Sequence, residues 1–440
     1  MGRLPDRRLL MGAGDHGWAL AGPEQAALVL GPPRSGKTRG VVIPNVLGAA
    51  GPVVSTSTKP DVMRSTAPVR AAQGRCWLYD PTGQTAAHPG VEPLRWSPVV
   101  RAARWDPAVA AARTMVQVAR PRSFGDQRHW DDRAQALVAP LLHAAALAGE
   151  SMRTVATWVN RRQSTPALGI LEAAGSGLAV DALVSATASE ERELSGIWST
   201  ASAVLGAYRT EAALATTDRP NFDCPTFVRS TDTVYICAPG RDQEIVAPLV
   251  AELVDEIRAD RYALETEADG AAHRAVVLAL DEVANIAPLP GLPALVSEGG
   301  GQGVMTLACF QDLSQAAARW GEAARGFPTV FGAKLILPGV GDVTTLRAVS
   351  ALVGDREVTV RSRSRTGWRG AWTTSWSSRR QPRLPADAVR RGRPGSALLI
   401  EGRQEPTWVS LVGPELHQER HEHRRRGPDT GRERGPGLER

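Results

Sequence analysis

Lysine is nearly missing from this chain: Lys37, Lys59 and Lys334 are all that stand among 52 basic side chains. The bias toward arginine, with plentiful Ala and Gly, fits a GC-rich coding sequence and carries no function of its own. It does make each lysine worth placing. Cysteine is also scarce: Cys76, Cys224, Cys237 and Cys309 lie far apart. That distribution excludes a disulfide framework and any metal site read from cysteine spacing, and a reducing, cytoplasmic setting is the simplest expectation. No apolar run approaches the roughly 20 residues that cross a bilayer. The longest, residues 134–148, is interrupted by Pro140 and His143 and reads as a buried helix. The basic residues near the start precede no continuous apolar stretch, so no signal peptide is expected.

What remains is a chain of 440 residues, 42% hydrophobic and 22% charged, ordinary for a globular protein of two or three domains. Short apolar runs at 25–30, 53–55, 76–79, 233–237, 275–280, 305–310 and 334–337 each precede a helical pattern. That alternation predicts an α/β fold with a mainly parallel sheet covered on both faces. Residues 397–400 and 407–411, separated by a turn at Gly402, read as a closing hairpin. Between about 98 and 220 the pattern becomes alanine-rich and helical, with no convincing strand. The expected organisation is therefore a nucleotide-binding domain in two parts, 1–97 and 221–412, with an all-α insertion at 98–220. Residues 413–440 are rich in Gly, Pro, Arg and Glu and are expected to be a disordered tail.

The most specific signal is Gly31-Pro32-Pro33-Arg34-Ser35-Gly36-Lys37-Thr38, between a short apolar run and a helical stretch. Its glycine spacing fits a phosphate-binding loop. Gly31 and Gly36 let the backbone turn so that successive N–H groups point at phosphate oxygens. Lys37 can reach the terminal phosphates, and the Thr38 hydroxyl can take one Mg²⁺ position. ATP and Mg²⁺ are the expected ligands. Asp281-Glu282, at the end of the 275–280 strand, supplies the second half: Asp281 to hold the metal and Glu282 to polarise the attacking water. Gln311 ends the next strand. It either senses the γ-phosphate or is a strand-ending amide satisfied by nearby backbone. Lys59 lies where a parallel sheet presents ligands, and Lys334 carries no reading beyond its place at a strand start.

The net charge of +6 is uneven. Residues 355–383 hold eight arginines against two acids, with Trp368, Trp372 and Trp376 among Ser, Thr and Gly. Two readings stand side by side. One is a nucleic-acid contact in which arginines (Arg361, Arg363 and Arg365 foremost) meet phosphates and tryptophans stack on bases. The other is a solvated hairpin whose tryptophans pack elsewhere.

The series GPPRSGKT, VVSTSTKPDV (53–62), YDPTG (79–83), LALDEVANI (278–286) and FQDLSQ (310–315), followed by Trp320-Gly321, resembles the TraG/TraD-type coupling ATPases of conjugative and type IV secretion systems. The likeness runs from about 25 to 412, with 275–385 similar to the region called a TraM-recognition domain. The resemblance implies a P-loop NTPase of the RecA/FtsK-like kind forming a homo-hexamer. It implies hydrolysis of ATP between subunits and movement of single-stranded DNA with its relaxase toward a secretion channel. It further implies work at the inner face of the membrane: many members begin with two membrane-spanning helices, none is expected within these 440 residues, and either a separate membrane partner or a missing start accounts for that. Members often carry an arginine about 19 residues after the acid equivalent to Asp281. Here that place is Gly300, which leaves Arg319 or Arg325 as substitutes, or slow turnover. A FtsK/HerA-like double-stranded DNA translocase and a nucleotide-gated cargo adaptor are the alternatives.

Overall fold

The structure, a computed structural model, describes residues 3–15, 17–120, 126–267, 273–365 and 372–413. Residues 414–440 of the expected tail, and Trp368, lie outside them. In chain order the strands are β1 (Leu10–Gly14), β2 (Gly17–Leu20), β3 (Ala27–Leu30), β4 (Val53–Ser57), β5 (Cys76–Tyr79), β6 (Glu92–Pro93) and β7 (Thr233–Cys237). They continue as β8 (Val276–Leu280), β9 (Val304–Phe310), β10 (Ala333–Ile336), β11 (Asp355–Arg365), β12 (Trp372–Pro382), β13 (Ser396–Glu401) and β14 (Thr407–Ser410). Twelve of them form one sheet in the order β2-β1-β14-β13-β10-β3-β9-β8-β4-β7-β5-β6, and β11 and β12 form a separate ribbon. From β10 to β6 the pairing is parallel; β13, β14, β1 and β2 add an antiparallel flank.

Strands such as Val276-Val277-Leu278-Ala279-Leu280 carry no polar residue because both faces are covered. The pleat divides them between two cores. Leu28, Leu30, Val276, Leu278, Leu280, Ala308 and Phe310 join the larger one, which extends into the helical region. Ala27, Val29, Val277, Ala279, Leu307 and Cys309 pack on the other face, with Val41, Val42 and Val46 from the helix that follows residue 37. Between β6 and β7 the described residues hold helices and no strand. At the centre of that region, the Asp126–Leu147 helix buries Ala134, Leu137, Val138, Leu141, Leu142 and Ala145, the spacing of one helical face. His143, which breaks the apolar run, is a satisfied core residue, with Nδ1 2.6 Å from the Ala102 carbonyl and Nε2 3.1 Å from Ser176 Oγ.

Two parts of the fold differ from the sequence reading. β1 and β2 were not anticipated, because Leu-Met-Gly-Ala-Gly and Gly-Trp-Ala-Leu show neither strong alternation nor a β-branched run. They are held by pairing with β14 and by Asn45, whose side chain accepts from Leu10 N–H and donates to the Leu10 carbonyl, both at 2.8 Å. Residues 355–365 pair with 372–382 along both strands, as a hairpin requires, but Trp372 and Trp376 are 63% and 66% exposed rather than packed away.

Candidate nucleotide-binding site

Leu30 of β3 pairs with Phe310 of β9, and Leu280 of β8 pairs with Ala308 of the same strand. This register brings the ends of three neighbouring strands to one edge, where 31–38, Asp281-Glu282 and Gln311 follow. The strand leading to Gln311 lies between the loop strand and the acid strand, so an amide there stands between the two halves of the site.

The loop is built as its glycines suggest. Gly36 has φ +96° and Arg34 φ +64°, the left-handed region that side chains rarely adopt. A Cβ on Gly31 would lie 2.7 Å from Ser35 Oγ and 2.9 Å from Leu337 Cβ, so only glycine fits that turn. Gly31 N–H donates to the Phe310 carbonyl at 3.2 Å, tying the loop to the β9 end. Pro33 and Arg34 face solvent, while Pro32 and Ser35 are half-buried. Lys37 is buried and its Nζ donates to the carbonyls of Gly31 and Pro32, so its ammonium lies within the loop's own curve.

Thr38 Oγ1 donates to Asp281 Oδ2 at 2.6 Å, which joins two residues far apart in sequence. The Asp281 carbonyl accepts from Thr56 Oγ1 at 2.8 Å, fixing the acid to β4. Burial pushes the Asp281 carboxyl above its ordinary range, against the Thr38 bond and the Lys37 charge, which favour the ionised form. A buried acid of this kind, bonded to a hydroxyl and beside one ammonium, fits a divalent cation. Ser35 Oγ is buried without a hydrogen-bond partner, an orphaned polar atom inside the loop. The residues present thus fit a nucleotide phosphate with Mg²⁺, held by Thr38 and Asp281.

Glu282 is half-buried and has φ +53°, ψ +44°, at a strand-to-helix turn closed by Asn285 and Ile286 N–H groups on its carbonyl. A non-glycine residue there stores strain of about 1–3 kcal/mol, and such strain collects at working sites. Gln311 N–H is satisfied by Gln315 Oε1 at 3.0 Å, so it is the main chain at 311 that the nearby amide holds. Asp312 caps the following helix through Ser314 and Gln315 N–H.

Sequence reasoning did not give roles to Thr56, Ser57 or Asp61. Ser57 Oγ lies 3.3 Å from Asp61 Oδ1, and Asp61 adds negative potential at Asp281. Their signal was present in the Ser-Thr-Ser-Thr-Lys-Pro-Asp run. Lys59 at the end of β4 is exposed. Lys334 is structural: Nζ donates to the carbonyls of Pro328, Phe331 and Gly332 at 3.1, 2.8 and 3.3 Å. A Cβ at Gly300 would lie 1.8 Å from the Glu24 carbonyl oxygen, so that position admits no arginine in this fold. Of the substitutes, Arg319 Nη2 donates to the Val118 carbonyl at 3.0 Å, and Arg325 pairs with Glu322 at 2.8 Å within one helical turn.

The sequence pattern of the family described as type IV secretory system conjugative DNA transfer matches residues 4–407. No curated protein sequence matches the chain. Among solved structures, the unbound bacterial conjugative coupling protein TrwBdeltaN70 superposes with TM-score 0.70 at 17% identity, covering 93% of this chain and 89% of that one. The plasmid coupling protein TrwB with the ATP analogue ADPNP gives TM-score 0.66 at 17% identity, covering 88% and 85%. TrwB with ADP and Mg²⁺ gives 0.66 at 17%, covering 93% and 95%. At these identities the likeness establishes the fold.

Proposed function

The chain belongs to the TraG/TraD-type conjugative DNA-transfer family of type IV secretory systems, and on that premise we propose that it hydrolyses ATP to deliver single-stranded DNA with its relaxase to the channel. The observation that carries the ATPase reading is the 2.6 Å bond between Thr38 and Asp281, which unites loop and acid at one sheet edge. The nucleotide complexes of the structurally similar TrwB support the choice of ligands.

In this reading Gly31, Pro32, Pro33, Arg34, Ser35, Gly36, Lys37 and Thr38 bind the nucleotide. Their N–H groups and the Lys37 ammonium take the phosphate charge. Thr38 and Asp281 would hold Mg²⁺, which when bound supplies neutralising charge at the phosphate oxygens. Glu282 orients a water and accepts its proton as the water attacks the γ-phosphorus, and the bond from that phosphorus to the β,γ-bridging oxygen breaks to release ADP. Gln311 donates its amide to the γ-phosphate or the water. We further propose that 1–97 and 221–412 form one nucleotide-binding domain, that 98–220 is an all-α domain that receives cargo, and that six copies make the working ring. The chain would act at the inner face of the membrane through a partner. Among the described residues no helix is long and apolar enough to cross a membrane. The close contact at Gly300 favours one second reading, a nucleotide-gated adaptor with little turnover.

The test is steady-state ATP hydrolysis with and without single-stranded DNA, beside nucleotide binding. Lys37→Ala is expected to lose nucleotide binding, and Glu282→Gln to bind ATP while turnover falls at least about 100-fold. Normal turnover in Glu282→Gln would remove its role as base. Tight ATP binding by the unmodified chain with negligible turnover on DNA, at every protein concentration, would favour the adaptor.

A further inference from the structure

We propose that one face of the β11–β12 ribbon is a binding surface for single-stranded DNA. This deepens the DNA-transfer reading and rests on it for the identity of the strand. The register pairs Arg361 with Trp376, Arg363 with Thr374 and Glu357 with Arg380. Because side chains alternate along a strand, Arg361, Arg363, Trp372, Thr374, Trp376, Ser378 and Arg380 all lie on the same face. Successive arginines on that face stand about 6.7 Å apart, a spacing suited to neighbouring phosphates of an extended strand.

The tryptophans decide the class of partner. Trp77, Trp96, Trp158 and Trp198 are buried, as a large apolar ring should be. Trp372 and Trp376 instead stand 63% and 66% exposed on a ribbon with no core beneath it. Arg361 lies over the Trp376 ring at 5.4 Å, so cation and ring make one platform. Exposed rings flanked by positive charge suit unpaired bases, which stack on aromatics while arginines take the phosphates. Two acids lie on this face, Asp355 opposite Pro382 at the ribbon's base and Glu357 against Arg380 at 4.0 Å, both away from the Trp376–Arg361 centre. The positions between are Thr359, Thr374 and Ser378, hydroxyls that bond phosphate and base edges. A ribbon built to enter lipid would place aliphatic residues there.

The ribbon is also rooted near the nucleotide site. Its base is locked by Arg383 N–H on the Gly354 carbonyl at 2.9 Å and by Arg383 paired with Glu405 at 2.6 Å. It leaves the Val343–Val353 helix, whose Thr345 Oγ1 accepts from Leu313 N–H at 3.0 Å, two residues past Gln311. Leu337 and Gly339, which lead into that helix, pack on Gly31 and Pro32 of the loop. Strand capture and nucleotide state therefore share one mechanical segment.

The experiment is fluorescence anisotropy of a labelled oligonucleotide against the full chain across a salt series, with thermal melts to confirm that variants fold. Arg361→Gln with Arg363→Gln and Arg380→Gln should flatten the slope of log K against log salt by about 2. Trp376→Ala should weaken binding about five- to a hundredfold at fixed salt, and Trp376→Phe should restore much of it. If the unmodified chain binds the oligonucleotide and these variants bind it identically, the ribbon assignment falls while the DNA-transfer reading stands. If the unmodified chain binds no DNA at low salt, that reading falls too. Equal affinity for duplex overturns the single-strand assignment. Loss of binding to phosphatidylserine vesicles in the variants, with DNA binding intact, makes the ribbon a membrane contact and overturns the proposal.

Discussion

A single backbone atom decides what position 300 can hold. Gly300 lies where a Cβ would meet the Glu24 carbonyl oxygen at 1.8 Å, whereas at neighbouring Gly301 the nearest atom is a Glu298 carbonyl at 3.6 Å, an ordinary contact. Gly300→Ala is therefore expected to lose about 1–3 kcal/mol of stability in urea unfolding, and Gly301→Ala much less. Equal midpoints for the two would show that the Glu24 segment gives way. Glu256 provides a second residue-scale test. Burial, opposed by Arg101 and by bonds from Cys224 and Trp96, pushes its carboxyl up to about 7. The folded chain thus holds a proton that the unfolded chain releases near its ordinary value of 4.5. That contribution is complete below about pH 4.5 and is lost as pH rises through 7, on the order of 3 kcal/mol. Buried Glu252 shifts in the same direction. Glu256→Gln should flatten the fall in stability between pH 5 and 8, measured as the urea midpoint; an unchanged profile would remove Glu256 as its source. Neither the contact of Gly300 with Glu24 nor the surroundings of Glu256 were legible in the sequence, because both depend on neighbours far along the chain. The loop at 31–38 was legible because its chemistry is local.

Elements were legible where one physical reason dominated. β5 and β7 are placed at 76–79 and 233–237 as their buried apolar runs require. β1 and β2 escaped notice because their stability comes from a partner strand and from Asn45, not from their own residues. Arg70 shows the same dependence. It is fully buried at the end of the Asp61–Arg70 helix, and burial pulls its basicity down. Its guanidinium donates to Thr233 Oγ1, Gln73 Oε1 and the carbonyls of Ala49, Gly51 and Thr231, stitching the start of β4 to β7. Removal leaves several carbonyls without donors, so Arg70→Leu should cost about 3–5 kcal/mol. Arg70→Lys should recover only part, because a point charge cannot span acceptors on three segments. Chemical denaturation of the three proteins checks this; a Lys variant as stable as the parent would mean that charge alone suffices.

At the scale of the whole molecule, what matters is which charge completes the site. The loop, Asp281, Glu282 and Gln311 come from one chain, and position 300 cannot supply an arginine. Arg319 ties the helical region to the sheet domain through the Val118 carbonyl, a bond between two parts of the fold that a finger would have to break. Arg325 is 79% exposed, and among the described residues its ion pair is with equally exposed Glu322 in its own turn. Such a pair is worth at most about 1 kcal/mol, so Arg325 is free to reach a neighbouring copy. In the proposed ring, turnover per chain should rise with protein concentration. Arg325→Ala should lower turnover on the order of 10³-fold. The decisive measurement mixes the two inactive variants. Arg325→Ala keeps Glu282 and Glu282→Gln keeps Arg325, so a shared interface rebuilds one complete site and the mixture should hydrolyse ATP faster than either alone. A mixture no faster than the sum of its parts would place the completing charge within a single chain, and the ring would then not be needed for hydrolysis.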